Sequence, residues 1–255
     1  MSSISSVSGF SDYSAYQTLA SGGAITKASQ GASELAVQER TKAQTKGLEV
    51  GEENLSSARS ALNIEDGALS GVTDYLQSIK EQTIKAMSGT MSDSDKQSIQ
   101  DQIKQYLKGI EDLAKGTSYN EKPLLDGSTD EMSIATDASG SAKTITGKDS
   151  TLSALGLEDF DVTKDADMSK IDDALSKVTS ARTTTGAESN AVDYAMTYNS
   201  HAALELNGFQ ADSQEQNAVE AYQKLKTQQG LDAYQNLLQK KQMEDNEQQK
   251  LSMFM

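Results

Sequence analysis

The chain has 255 residues, 36% of them apolar and only 5% aromatic, with one proline, no tryptophan and no cysteine. A formal net charge of −15 sets it against nucleic acid and anionic membrane surfaces, which repel an acidic protein. The missing cysteines exclude disulfides and thiolate metal sites, and no run approaches the roughly 18 apolar residues of a membrane-spanning helix.

So few aromatic residues argue against a thick core. Abundant Leu, Ala and Gln suit long helices packed side by side. Residues 1–20 carry Ile4, Val7, Phe10, Tyr13, Tyr16 and Leu19 at helical steps, a thin stripe that needs a partner. Met1–Phe10 is Ser-rich and uncharged, without the basic start and apolar core of a secretory leader. Export, if it occurs, is therefore expected by a route without a cleaved signal peptide. Gly22-Gly23 breaks the stripe, and residues 24–46 read as a weak helix or a connecting segment.

Leucine then recurs every seven residues, at Leu48, Leu55, Leu62, Leu69 and Leu76. A second row follows three residues on, at Gly51, Ala58, Glu65, Val72, Ile79 and Ala86. Alternating steps of three and four put both rows on one stripe, which predicts a long helix from Leu48 to Met87. Ser88-Gly89-Thr90 ends it. Ser94 with Gln97 reads as a capping box. Ile99, Ile103, Tyr106, Ile110 and Leu113 predict a second helix over about 93–115, folded back antiparallel.

Gly116 to Gly127 contains the only proline, Pro123, and reads as a turn. Met132, Ile134 and Thr136 alternate, as do Thr144 and Thr146 about Ile145, which predicts a small β-hairpin. Leu152, Leu155, Leu157 and Phe160 could cover it. Helical spacing returns with Ile171, Leu175, Val178, Val192, Met196, Ala203 and Leu206. It continues through Val219, Tyr222, Leu225, Leu231, Tyr234, Leu237, Leu238, Leu251 and Phe254, with a break or bend near Gly230.

The predicted fold class is mainly α: an elongated antiparallel helical bundle or coiled coil with a small β-hairpin region. Its expected core is Leu48, Leu55, Leu62, Leu69, Leu76, Ile99, Ile103, Ile110, Ile171, Leu175 and Val178. The terminal apolar residues Ile4, Val7, Leu19, Leu231, Leu237, Leu238, Leu251 and Phe254 are expected to mediate polymerisation, because each lies on a stripe too thin to be satisfied within one chain.

No catalytic constellation emerges. The sole histidine, His201, lacks a second His, any Cys or a positioned carboxylate. Glu52-Glu53 and Asp172-Asp173 are adjacent on helices, about 100° apart, and do not converge. Asp93, Asp95 and Asp101 lack the Gly and Glu of a calcium loop. Gly67 and Gly71 lack a phosphate-loop lysine. No cofactor, metal or nucleic acid is expected.

Several segments together resemble bacterial flagellin. They are Ala43-Gln44-Thr45-Lys46-Gly47-Leu48, Asn54-Leu55-Ser56-Ser57-Ala58-Arg59, Ile64-Glu65-Asp66-Gly67-Ala68-Leu69, Thr117-Ser118-Tyr119-Asn120, Leu124-Leu125-Asp126-Gly127, and Arg182 with Gly186-Ala187-Glu188-Ser189-Asn190. The resemblance implies an inner-tube segment at 1–42, outer-tube helices at 43–129, a small β region at 130–166, an outer-tube helix at 167–210 and a second inner-tube segment at 211–255. The variable outer domains are missing, and the two end segments depart from the family pattern. The implied function is a self-polymerising, extracellular structural subunit of the flagellum, a homo-oligomer served by an export chaperone and the type III export apparatus. A minor flagellin, a hook–filament junction protein and a secreted coiled-coil binding module or receptor ligand remain as alternatives.

The resemblance also places an innate immune receptor surface at Gln77, Ser78, Ile79, Lys80, Glu81 and Gln82, with Gln102 on the return helix. Ser78 and Gln82 stand where the family pattern has Arg and Leu. Lys80 keeps charge without the planar fork of Arg. A weak receptor ligand is the expectation.

Overall fold

The computed structural model of the chain describes the backbone of residues 5–253 and the side chains of residues 13–248. These form two compact units: Lys46–Ala202, and Met1–Thr45 with Ala203–Met255. In chain order the elements are α1 (Ser5–Ala20), α2 (Ala32–Ala86), α3 (Asp93–Gly116), β1 (Ser118–Tyr119), β2 (Lys122–Pro123), β3 (Glu131–Ala135), β4 (Ala142–Thr146), α4 (Leu152–Leu155) and α5 (Met168–Met253).

Within Lys46–Ala202 the two heptad rows of α2 form the interior. Leu48, Leu55, Leu62, Leu69 and Leu76 are buried, and so is every member of the second row, Gly51, Ala58, Glu65, Val72, Ile79 and Ala86. Against the stretch from Leu69 to Ala86 pack Ile99, Ile103, Leu107 and Ile110 of α3 and Ile171, Ala174 and Val178 of α5. Leu175 is only half-buried at the edge of this core, not inside it as the heptad suggested. Each fully buried Leu stabilises by roughly 1.5–3 kcal/mol. Tyr75 of α2 and Tyr106 of α3 meet with ring centroids 6.1 Å apart. A side chain at Gly109 would collide with the Tyr75 ring at 2.7 Å, so the glycine admits that ring.

Several boundaries differ from the sequence expectation. The helix expected from Leu48 begins at Ala32, so the weak-helix segment is mostly helix. The capping box of α3 lies at Ser92 and Asp95, not Ser94 and Gln97. Ser92 Oγ accepts the Asp95 N–H at 3.2 Å, and Asp95 Oδ2 accepts the Ser92 N–H at 3.1 Å. A short Asp at the third helical position closes the same reciprocal pair as Glu or Gln. Helix α5 runs without interruption through Gly186 and Gly230; a single glycine costs about 1 kcal/mol, too little to break a long helix.

Two separate hairpins follow α3, the first of them ahead of the β region expected at 130–166. β1 and β2 pair Ser118 with Pro123 and Tyr119 with Lys122. Asn120 and Glu121 between them have φ of 48° and 65°, the paired left-handed conformation that matches strand twist in a two-residue turn. β3 and β4 pair Met132 with Ile145 and Ile134 with Lys143. Ile145 joins Leu55, Ala58, Leu62 and Val192 in a second small core. Leu155, Leu157 and Phe160 enter the main core beside α2, α3 and α5, and Met132 of the hairpin packs against that core too.

Side chains from the helices hold the irregular stretches in place. Gln100, itself buried, donates to the Phe160 carbonyl at 3.0 Å and accepts the Val162 N–H at 2.9 Å. Glu111 accepts the Leu152 N–H at 2.9 Å. Asn199 donates to the Thr136 carbonyl at 2.7 Å and Asn54 to the Ala135 carbonyl at 3.1 Å. These bonds satisfy backbone groups that no ladder reaches. Gly51 lies so close that a Cβ there would sit 1.8 Å from the Thr136 oxygen.

Candidate assembly and recognition surfaces

In the unit made of Met1–Thr45 and Ala203–Met255, the buried side chains among the described residues are few: Ala15, Thr18, Ile25, Thr41, Thr45 and Ala221. Gly23 packs on the Gln214 backbone, where a Cβ would meet the carbonyl oxygen at 1.8 Å. Asn217 donates to the Gly23 carbonyl at 3.3 Å. Amides again support the loop: Gln30 accepts from Thr26 N–H and Lys27 N–H at 2.9 Å, and Gln38 accepts from Ile25 N–H at 3.1 Å.

Beyond Gln228 every described residue of α5 with a placed side chain, through Gln248, is exposed. That stretch includes Leu231, Tyr234, Leu237, Leu238 and Met243, with Leu237 65% exposed. On α1, Tyr13 and Tyr16 are exposed and Leu19 is half-buried. Of the other residues expected to mediate polymerisation, Ile4 and Phe254 lie outside the described residues. Val7 and Leu251 lie in α1 and α5 with side chains outside the described set. The charge is unevenly placed. Lys46–Ala202 carries 27 acidic and 15 basic residues, the other unit 11 and 8.

The proposed receptor surface divides by helical geometry. Gln77 and Glu81 of α2 and Gln102 of α3 are exposed, and Ser78 and Gln82 are half-buried. Ile79 is fully buried in the core and cannot take part in any outer surface. It stands in the second heptad row, so its side chain points inward. Lys80 is tied to Asp172 of α5. His201 is exposed beside a shallow hollow of about 480 Å³ lined by Glu52, Arg59, Asp193, Met196, Thr197 and Ser200. Arg59 approaches Asp193 there at 3.3 Å. Among the described residues no group of three or more His, Cys, Asp or Glu is placed to hold a metal ion, and no helix is long and apolar enough to cross a membrane.

The sequence reading passed over two polar features. The first is a buried ionic cluster. Lys148, just beyond β4, donates to Glu188 Oε2 at 2.6 Å and to the Thr146 carbonyl at 2.6 Å, and lies 3.2 Å from Glu65 Oε1. Thr185 of α5 donates to Glu65 Oε1, and the Thr146 N–H donates to Glu188 Oε1 at 3.0 Å. Burial pushes the Glu65 carboxyl above the ordinary glutamate value, against the pull of Thr185 and Lys148. Beside this cluster, Arg182 grips Asp66 with both arms, at 2.9 and 3.4 Å. The signal for Glu65 was available: it is the one acid in an otherwise small or apolar heptad row.

The second feature is a recurring Asp-x-Ser/Thr turn, at Asp126, Asp137, Asp149, Asp161 and Asp167. Each aspartate accepts both the N–H and the hydroxyl of the residue two ahead. Those bonds favour the charged carboxylate and lower the pKa of Asp126, Asp161 and Asp167, and that of Asp137 to about 2.

Residues 11–130 match the family of the bacterial flagellin N-terminal helical region. The phase 1 flagellin of Salmonella naestved is 32% identical over 184 residues, which cover 71% of this chain and 36% of that protein. The flagellin of Salmonella enteritidis aligns with the same figures. The chain thus spans about a third of the length of these curated relatives. Among solved structures, Bacillus cereus flagellin superposes with a TM-score of 0.53 at 24% identity, covering 58% of this chain and 88% of that one. A Vibrio parahaemolyticus protein described as flagellar hook-associated gives 0.57 at 16% identity, covering 71% and 95%. Both likenesses are of fold.

Proposed function

Because the chain belongs to the flagellin family, we propose that it is a structural subunit of the bacterial flagellar filament, polymerising outside the cell through its terminal helices. The observation that carries this reading is the exposed stretch of α5 beyond Gln228, where Leu231, Tyr234, Leu237 and Leu238 are left exposed among the described residues. Apolar stripes of this kind become buried only in an assembly. Residues 1–42 and 211–255 serve as the inner-tube segments, residues 43–129 and 167–210 as the outer-tube helices, and residues 130–166 as the β region. The subunit reaches its place through the flagellar export apparatus with a chaperone. It acts as a packing element and not as an enzyme.

Electron microscopy of the purified chain after induced polymerisation tests the proposal: regular tubes are expected, and a monomer at all concentrations and salts overturns it. Removal of the residues after Gln242 is expected to spare the fold and weaken tube formation. The same fold occurs in the hook-associated likeness, so copy number in isolated flagella separates a filament subunit, at high stoichiometry, from a junction protein present in few copies.

The receptor surface follows from the same family. We infer weak recognition, supported by Ser78 and Gln82 at the altered positions and by the engagement of Lys80 with Asp172. A cell reporter assay giving the potency of a typical flagellin would refute it.

A further inference from the structure

The buried cluster of Glu65, Lys148 and Glu188 holds two carboxylates and one ammonium. Their side chains are 1%, 6% and 13% exposed. It joins three elements: α2 through Glu65, α5 through Glu188 and Thr185, and the end of β4 through Lys148 and Thr146. With both carboxylates ionised it carries one uncompensated negative charge in a site shielded from water, an arrangement that low polarity penalises. Lys148 has spent its donors on Glu188, Glu65 and the Thr146 carbonyl. Among the described residues no second cation is paired with the cluster, and the neighbouring Arg182 is committed to Asp66. The Thr185 hydrogen bond and the Lys148 ion pair both reach Glu65 at Oε1, and its other oxygen can carry a proton without breaking either. Glu188 differs, since both of its oxygens accept, one from Lys148 and one from the Thr146 N–H.

We propose that this cluster is a proton-dependent clamp on the end of β4: it closes when Glu65 holds a proton and loosens when that proton is lost. The direction follows from linkage. A carboxyl whose folded pKa lies above its unfolded value contributes stability that is complete below the unfolded value, 4.5 for glutamate. That contribution is lost as pH rises through the folded pKa. The clamp therefore grips most firmly in mild acid and weakens toward neutrality. The charged groups acting on Glu65 are Lys148 from the segment after β4 and Glu188 from α5; Asp66, its neighbour on α2, faces Arg182. Thr146 reports the state of the clamp, because its N–H is bonded to Glu188.

Amide hydrogen exchange of the full chain, followed at Thr146 and corrected for intrinsic rates, tests the proposal. Protection is expected to fall with rising pH above 4.5, by at most about tenfold per pH unit, the limit for one linked proton. In Glu65→Gln, which keeps an acceptor for Thr185 and removes the titration, protection at Thr146 is expected to be flat over the same range. An equal slope in both proteins overturns the proposal. Carboxyl-carbon NMR of Glu65 in the unmodified chain decides independently, including where the variant fails to fold: a titration midpoint above 4.5 supports the clamp, and one at or below it refutes it.

Discussion

The two units solve the problem of apolar surface in opposite ways. Lys46–Ala202 buries its heptad leucines against α3, α5 and the β region. It fixes its irregular backbone with Gln100, Glu111, Asn54 and Asn199, and carries most of the net negative charge. Met1–Thr45 with Ala203–Met255 buries few side chains, is closer to neutral and leaves Tyr234 and Leu237 exposed. One unit is complete by itself. The other leaves apolar side chains of α1 and α5 exposed among the described residues, and its lower charge lessens the repulsion that would oppose association of copies. On the proposed function, stability and assembly are housed in different parts of one chain.

The sharpest break in that contrast is Leu62→Asp, which places a charge in a fully buried position. Loss of more than about 4–5 kcal/mol is expected, seen as the disappearance of the cooperative thermal transition by circular dichroism. Lys148→Met leaves Glu65 and Glu188 buried without their cation. The expected loss is roughly 3–5 kcal/mol, measured by urea unfolding at neutral pH. Gly51→Ala drives a methyl into the Thr136 carbonyl, 1.8 Å from the ideal Cβ. A loss of roughly 1–3 kcal/mol is expected, with faster amide exchange at β3.

Acid gives a smaller effect, expected within the first unit. Asp95, Glu111, Asp126, Asp137, Asp161 and Asp167 are held below their ordinary values by the hydrogen bonds they accept. Their contribution is therefore present above 3.8, or 4.5 for Glu111, and is lost as pH falls through the depressed values, Asp137 last near 2. The melting temperature of the monomer is expected to fall below pH 4; a constant value down to pH 2 would contradict these turns. Smallest of all in stability is Leu237→Ser, under about 0.5 kcal/mol because the side chain is exposed. Its expected consequence is slowed polymerisation by light scattering, and unchanged kinetics would remove Leu237 from the assembly surface.

The rows from Leu48 to Ala86 and the alternation at Met132 and Ile145 were legible because they are local. A repeat of seven or two residues reports which side of its own element is apolar, whatever lies opposite. The Asp-x-Ser/Thr turns are equally local and were legible in principle, since each aspartate bonds two residues ahead. The helical start at Ala32 was obscured by small and polar residues with little periodic signal.

The sequence by itself determined that long amphipathic helices would surround a small β excursion and that the terminal stripes would be thin. The tertiary structure alone decided which polar groups meet. Glu65 reaches Lys148 and Glu188 across 83 and 123 residues of chain, and Gln100 supplies the hydrogen bonds of a missing strand to Phe160 and Val162. No spacing encodes such encounters, because they depend on how helices pack and on which backbone groups that packing leaves unsatisfied. Ile79 is the converse case: its place in the heptad row turned it inward, whatever the recognition motif implied, and left Gln77 and Glu81 to the surface.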